Sequence, residues 1–427
     1  MSLSTQPYKG ARDFYPDDKR LQKYMFGVMR RVVESFGYQE YDAPIIEPLE
    51  LYLSKSSEEI VAEQTYSFMD RGGRQVTIRP EMTPTVSRMV AARRQELSYP
   101  LRLYSIPNVW RYERPQKGRL REHWQLNVDL FGVADLLAEH EEILVADSIL
   151  KAFGAKHDDY SIRINSRKLV DAILRDHAGM DDERLQKIVR FVDHRSKMPH
   201  DEFREGLAQI VSEAKARELI KIFSAKSFDQ LPEKYQKHPS AQNLLALQKL
   251  LAASGISNTL EDISLMRGFD YYTDIIFEVF DEHPDNNRSM FGGGRYDGLV
   301  AAFGVESVPT IGFAMGDVTL QNFLEGHDLL PKLPTEIDAV VVMVGDVYGA
   351  AQKVLAAWRT NGLNLAVDNS GRKLDACIKS AVKSGVLHVL FIGEQELASG
   401  KYKLKNLESA KELELDQEEV VKILKTE

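Results

Sequence analysis

A single cysteine, Cys377, stands in a chain of 427 residues. It excludes an internal disulfide framework and any zinc cluster built on cysteines, and it fits a reducing compartment. No apolar run approaches the roughly 20 residues that a membrane-spanning helix needs. The opening stretch, Met1 to Asp13, is polar and lacks the apolar core of a signal peptide, so a cytoplasmic protein with no membrane partner is expected. His140-Glu141 lacks the second histidine of a metalloprotease helix and reads as surface, and no resident metal is expected. A surplus of positive charge is missing too. The net charge of −9 argues mildly against a protein that coats nucleic acid non-specifically, while leaving room for a local basic face on an acidic enzyme.

What is present is the composition of a globular protein, 43% hydrophobic and 28% charged, too long for one ordinary domain. Leu21, Tyr24, Met25, Val28, Met29 and Val32 fall at helical spacing, and Gly37 ends that helix. From Arg74 to about Phe131, strand-like and helical pieces alternate. Between Arg167 and Leu250 helical periodicity dominates, and 16 Lys and Arg stand against 13 Asp and Glu, a slightly basic stretch in an acidic chain. It reads as a helical insertion at about 167–255. Strand character returns at Asp274–Phe280. A polar, proline-bearing stretch from Gly326 to Glu336 reads as a linker. Beyond it, strands and helices alternate from about 335 to 427, which predicts a small α/β domain.

Four segments carry chemistry. The first is Arg111-Tyr-Glu-Arg-Pro-Gln-Lys-Gly-Arg-Leu-Arg-Glu-His-Trp-Gln125, continuing to Gly132. Two strands flanking a loop of Arg, Lys, Pro and Gly predict a long hairpin. On its second strand His123, Gln125, Asn127 and Asp129 share one face, and Trp124, Leu126, Val128 and Leu130 the other. A polar row of this kind is commonly a solvent-facing strand, but five cationic residues from Arg111 to Arg121 suit phosphates or a nucleic-acid end. The second segment is Arg79-Pro-Glu81-Met-Thr83, whose carboxylate and hydroxyl can meet a protonated amine. The third is Arg267-Gly-Phe-Asp-Tyr-Tyr272-Thr, with one guanidinium and two phenols. The fourth is Gly292-Gly-Gly-Arg-Tyr-Asp-Gly298, where a ligand can approach the backbone; it is neither a Walker loop nor a dinucleotide fingerprint. Each alone also reads as ordinary capping, turn or surface chemistry.

Together and in this order the segments resemble the histidyl-tRNA synthetases over essentially the whole chain. Gly10-Ala-Arg-Asp13 and Gly37–Pro48 look like the family's opening and class II motif 1, a dimer element. Arg79–Thr83 and Arg111–Gly132 look like the histidine-binding segment and motif 2. Arg267–Thr273 resembles the histidine-specific motif. Gly371-Arg-Lys-Leu and Ile392-Gly-Glu394 resemble the anticodon-binding domain. The resemblance implies an α+β fold: a class II catalytic core on an antiparallel sheet, residues 1–330 interrupted by the insertion, then an anticodon-binding α/β domain at 335–427. It implies that histidine is activated by ATP, with accompanying Mg2+, and transferred to tRNA(His) by a homodimer. Glu81, Thr83 and Gln125 would hold the histidine amine, and Asp129, backed by Tyr272 and with Tyr271 nearby, the imidazole. Arg111 and Arg267 would be catalytic at the α-phosphate and the carboxylate. Arg111, Glu113, Arg121, His123 and Thr319 would line the ATP site. Arg114, Gln116, Lys117 and Arg119 would meet the tRNA acceptor end.

The sequence departs from the family pattern at several places. His123 stands where a Phe is usual, and Thr319 where motif 3 closes on an Arg, so both faces of the adenine sandwich have changed. Arg121 or Arg295 is expected to take over the missing charge. Asp129 replaces the commoner Glu, and Asp375 and Cys377 replace Lys and Gln. Three other readings therefore stay beside the enzyme: a histidine-binding paralogue such as the regulatory subunit of ATP phosphoribosyltransferase, a tRNA-binding module, and a generic nucleotide-binding α/β protein.

Overall fold

The alternating residues of Glu122–Phe131 form a strand of ten residues, the longest of the protein's strands among the described residues. The computed structural model describes residues 3–53, 64–116, 118–179, 182–193, 199–266, 271–286 and 288–426. It divides into two compact units, one of Met1–Phe14 with Gln22–Leu330 and one of Tyr15–Leu21 with Pro331–Glu427.

The first unit is built on a large sheet whose strands lie in the order β1 (Gln39–Glu40), β5 (Leu101–Ser105), β7 (Glu122–Phe131), β12 (Thr310–Gly316), β11 (Ser289–Arg295), β10 (Ile275–Asp281), β8 (Tyr160–Ser166) and β9 (Thr259–Glu261). Strand β6 (Asn108–Trp110) completes the hairpin with β7, Val109 facing His123. The middle of the sheet is antiparallel, and only the outer pairs β1/β5 and β8/β9 are parallel.

Register decides what each face carries. Gly312 pairs with Asp129, Ala314 with Asn127 and Gly316 with Gln125. Gly294 in turn pairs with Gly312, and Gly292 with Ala314. Paired residues share a face of the sheet. The polar row of β7 therefore runs beside a floor of glycines and one alanine, and the room above Gly312 and Gly294 is taken by Asp129, Tyr296 and Tyr272. On the opposite face Leu130 and Ile311 pack with Ala138 of the helix Leu137–Ala152.

The helices Arg167–Ala178, Asp182–Asp193, His200–Ile210, Glu213–Phe223 and Pro239–Ala253 fill the stretch between β8 and β9. Ser166 caps the first of them, its Oγ accepting from the Leu169 N–H at 3.3 Å, and Leu169, Val170, Ile173 and Leu174 are buried. A separate three-stranded sheet, in the order β2 (Ile46–Pro48), β4 (Gln75–Ile78), β3 (Tyr66–Met69), leaves Ile45, Ile46, Phe68 and Met69 between 44% and 61% exposed.

The second unit has a five-stranded sheet in the order β14 (Leu365–Asp368), β13 (Ala339–Val344), β15 (His388–Gly393), β16 (Tyr402–Asn406), β17 (Glu412–Leu415). The first three strands are parallel and joined through helices, and the last two are antiparallel. Its core gathers around the fully buried Trp358. Among the described residues of the whole chain, no helix is long and apolar enough to cross a membrane.

Candidate active site

The polar row is not solvent-facing. Gln125, Asn127 and Asp129 are 6%, 1% and 2% exposed, and only His123 at the open end is half-buried. The row is internally bonded: Gln125 Nε2 donates to Asn127 Oδ1 at 2.8 Å, and Asn127 Nδ2 donates to the Gln125 carbonyl at 3.2 Å. Such a row costs stability unless something polar answers it, so its burial marks a recognition site rather than a wetted surface.

Asp129 is the deepest member. Burial pushes its carboxyl up to about 7, a hydrogen bond from the Tyr296 hydroxyl to Oδ1 pulling the other way. Gly312 makes room for it, since a Cβ there would lie 2.4 Å from Asp129 Oδ1. The phenol on the carboxylate belongs to Tyr296 of the segment Gly292–Gly298, a residue whose local sequence carries no sign of that contact. Tyr272, expected behind Asp129, packs at a tilt of 57° against Tyr271 with ring centroids 4.9 Å apart, in one buried cluster with Tyr296.

Glu81 is also buried, 2% exposed, and accepts from the Tyr271 hydroxyl at 3.2 Å. It stands just before the helix Thr83–Arg93, which begins with Thr83 and carries Pro84 in its first turn. Arg79 braces this segment: its Nε donates to the Asn108 carbonyl at 2.9 Å and its Nη1 to the Ala43 carbonyl at 2.7 Å. Arg111 Nε donates to the Pro80 carbonyl at 2.9 Å. The segment holding Glu81 and the start of the cationic loop are thereby tied together.

At the mouth, His123 is pushed down to about 3, first by burial and then by the charge of Arg111. It is a neutral ring at any ordinary pH. Glu113 lies 3.6 Å from Arg119 Nη1. Arg121 is held in an aromatic nest, its guanidinium 3.9 Å from the Tyr112 ring centre, with Nε on the Glu113 carbonyl and Nη1 on the Tyr8 hydroxyl. Thr319 opens no charge to the cleft: its hydroxyl donates to the carbonyls of Met290 and Gly316 at 3.0 and 3.1 Å. The loop tip lies beside it, a Cβ on Gly118 falling 3.8 Å from Thr319 Cγ2. Arg114 and Gln116 belong to the same loop, Gln116 bridging to Arg119.

One expectation fails. Arg295 cannot lend charge to the mouth of the site, because the residue is 4% exposed and its guanidinium is locked on Glu139, with Nε 2.5 Å from Oε1 and Nη2 2.8 Å from Oε2. Burial of a charge demands such a partner, and that partner lies at the helix Leu137–Ala152. Arg267 and Lys117 lie outside the described residues.

Residues 10–319 match the family model described as histidyl-tRNA synthetase, and residues 338–427 the one described as anticodon binding domain. The chain is 41% identical to the histidine–tRNA ligase of Leptospira biflexa, over 100% of this chain and 98% of that protein. It is 35% identical to the histidine–tRNA ligase of Haloarcula marismortui, over 95% of this chain and 94% of that one. Among solved structures, the histidyl-tRNA synthetase from Nostoc sp. superposes with a TM-score of 0.81 at 23% identity, covering 100% of both chains, a likeness of fold.

Proposed function

Because this chain belongs to the histidyl-tRNA synthetase family, it activates histidine with ATP and charges tRNA, and we propose that the cleft over β7 is where histidine and ATP meet. A non-catalytic relative is not favoured by these matches. The observation that carries the placement is the buried row Gln125, Asn127, Asp129 beside Glu81 and Arg111. The histidine ammonium lies against Glu81, Thr83 and Gln125, which offer acceptors. The imidazole goes down to Asp129, beside Tyr271, Tyr272 and Tyr296. A carboxylate oxygen of histidine attacks the α-phosphorus of ATP, the bond to the bridging oxygen breaks, and pyrophosphate leaves. Arg111 and Arg267 neutralise charge at that phosphorus, and Mg2+ accompanies the phosphates. Glu113, Arg121, His123 and Thr319 border the nucleotide, His123 as a neutral ring able to stack on adenine. The adenylate is then attacked by a hydroxyl of the terminal ribose of tRNA(His), whose acceptor end meets Arg114, Gln116, Lys117 and Arg119.

Ile46, within the segment Gly37–Pro48, and Phe68 are exposed on one face of the three-stranded sheet and support a homodimer through that segment. We place the enzyme in the cytoplasm. The test of the site is histidine-dependent exchange of pyrophosphate into ATP. The wild-type protein should exchange with histidine and with no other amino acid, and Asp129→Ala should raise the histidine KM steeply with the ATP KM nearly unchanged. Equal losses for both substrates would remove Asp129 from the histidine site.

A further inference from the structure

Strand β12 ends at Gly316, opposite Gln125, and leaves Glu122, His123 and Trp124 of β7 beyond it. These residues carry the edge assigned to the nucleotide. On one side β6 pairs with them, Trp110 facing Glu122 and Asn108 facing Trp124. On the other side the opening segment of the chain stands where a strand would. The Gly10 carbonyl accepts from the N–H groups of Arg121 and Glu122 at 2.9 and 3.1 Å. Next along the edge, Asp317 Oδ1 accepts from the Trp124 N–H at 3.0 Å, so a side chain carries the ladder on where β12 has turned into a helix. Asp317 Oδ2 accepts in turn from Arg12 Nη2 at 2.7 Å. Arg12 lies on the Trp124 side of β7, behind the row that begins with His123. Its guanidinium is 4.9 Å from the Phe14 ring centre and 6.0 Å from that of Trp124, and the Phe14 ring stands edge-on to Trp124 at 5.2 Å.

Asp317 is 3% exposed, and a carboxylate so placed needs a counter-charge. Burial raises its carboxyl, while Arg12 and the Trp124 N–H pull it back. Removing Arg12 leaves a buried carboxylate that must take up a proton or turn to water, and either change loosens its charge-assisted hold on Trp124. The consequence falls on His123, the next residue of the strand, because a backbone that shifts at Trp124 carries its neighbours with it. The charge of Arg12 reaches the His123 ring as well, adding to burial and to Arg111 in keeping it neutral. Thr319, further along the same helix, is bound to the carbonyls of Met290 and Gly316 and cannot take this part.

We propose that Arg12, acting through Asp317, is a positioning residue of the ATP site: it fixes the end of β7 that carries His123, and with it the ring on which adenine stacks. This rests on the reading that ATP lies against His123. The histidine end of the strand has its own support, since Gln125 pairs with Gly316 and Asp129 with Gly312. The effect of Arg12 is therefore confined to the nucleotide.

The test is calorimetric binding to the full chain of a non-hydrolysable ATP analogue and, separately, of histidine. Arg12→Ala should weaken the ATP analogue about tenfold, the scale of one hydrogen bond between charged groups, and leave histidine unchanged. Arg12→Lys, which keeps the charge and can still reach Asp317, should recover most of the loss. Asp317→Asn added to Arg12→Ala should cost little more, since both changes act through one pair. An unchanged ATP affinity in Arg12→Ala, an equal loss for both ligands, or fully additive losses in the double variant would each overturn the proposal. His123→Ala separates the two levels. If it weakens the ATP analogue while Arg12→Ala does nothing, only the role of Arg12 falls. If both variants bind the analogue like the wild type, the placement of ATP against His123 falls with it.

Discussion

At the scale of single residues, the cost of the site is concentrated in Asp129. Its carboxyl is raised by burial to about 7, far above the ordinary value, so the native state holds a proton that the unfolded chain has released. The sign follows from linkage. Between the unfolded value near 4 and the folded value, native protein binds more protons than unfolded protein, and stability falls as pH rises through that window. Ligand-free protein should therefore lose a few kcal/mol between about pH 4 and pH 8 from this group alone. Asp129→Asn should remove that part of the slope and raise the melting temperature at pH 8. Chemical denaturation of both proteins at the two pH values checks it, and an unchanged difference would show that Asp129 is ionised in the native state. Arg267 belongs to the same scale. Its place at the head of the histidine-specific segment predicts that Arg267→Ala costs about 3 kcal/mol or more in the activation step, with less effect on histidine binding. Single-turnover adenylate formation measures this directly, and a near wild-type rate would end its catalytic assignment.

At the scale of elements, Asp129 and the tyrosines around it have their places because β11 and β12 carry almost no side chains on one face. Gly312 is the critical position: a Cβ would lie 2.4 Å from Asp129 Oδ1 and 2.6 Å from the Val128 carbonyl. Backbone cannot yield as a flexible side chain can, so Gly312→Ala should destabilise by about 1–3 kcal/mol and displace Asp129. A melting shift together with weakened histidine binding is the expected pair; normal histidine affinity would mean that the strands slide apart without moving Asp129. The start of the helix Asp317–Gly326 makes a second case. Thr319 ties that helix to β11 through Met290, and the loop tip at Gly118 closes over it. Restoring the family's arginine by Thr319→Arg removes that tie, worth about 1 kcal/mol, and crowds the loop. Affinity for a non-hydrolysable ATP analogue should stay the same or fall. A clear gain in calorimetry would show the adenine site to be merely lacking its arginine.

At the scale of the whole molecule, Ile46 and Phe68 stand exposed on one face of the three-stranded sheet, apolar surface that a monomer gains nothing by showing to water. A homodimer should appear by light scattering at micromolar concentration, and Ile46→Asp combined with Phe68→Asp should dissociate it. A wild-type monomer would leave this face without an occupant. How much of the molecule was legible beforehand varies with the range of the interaction responsible. Strand β7 and its two faces followed from alternation, and the helices of 167–253 from the spacing of their apolar residues, because both periodicities are local. Side-chain alternation also put Gln125, Asn127 and Asp129 together. It could not say that their face is buried, since that depends on β12 and β11 arriving beside it from almost 200 residues further along the chain. The same dependence hid Tyr296, and it fixed Arg295 on Glu139 when charge alone pointed it at a phosphate. Sequence by itself determined the elements, the family and the list of chemically able residues, which are properties of near neighbours along the chain. Only the tertiary structure decided which of those residues face one another, because strand register brings together groups, such as Asp129, Gly312 and Tyr296, whose separation in sequence carries no signal of contact.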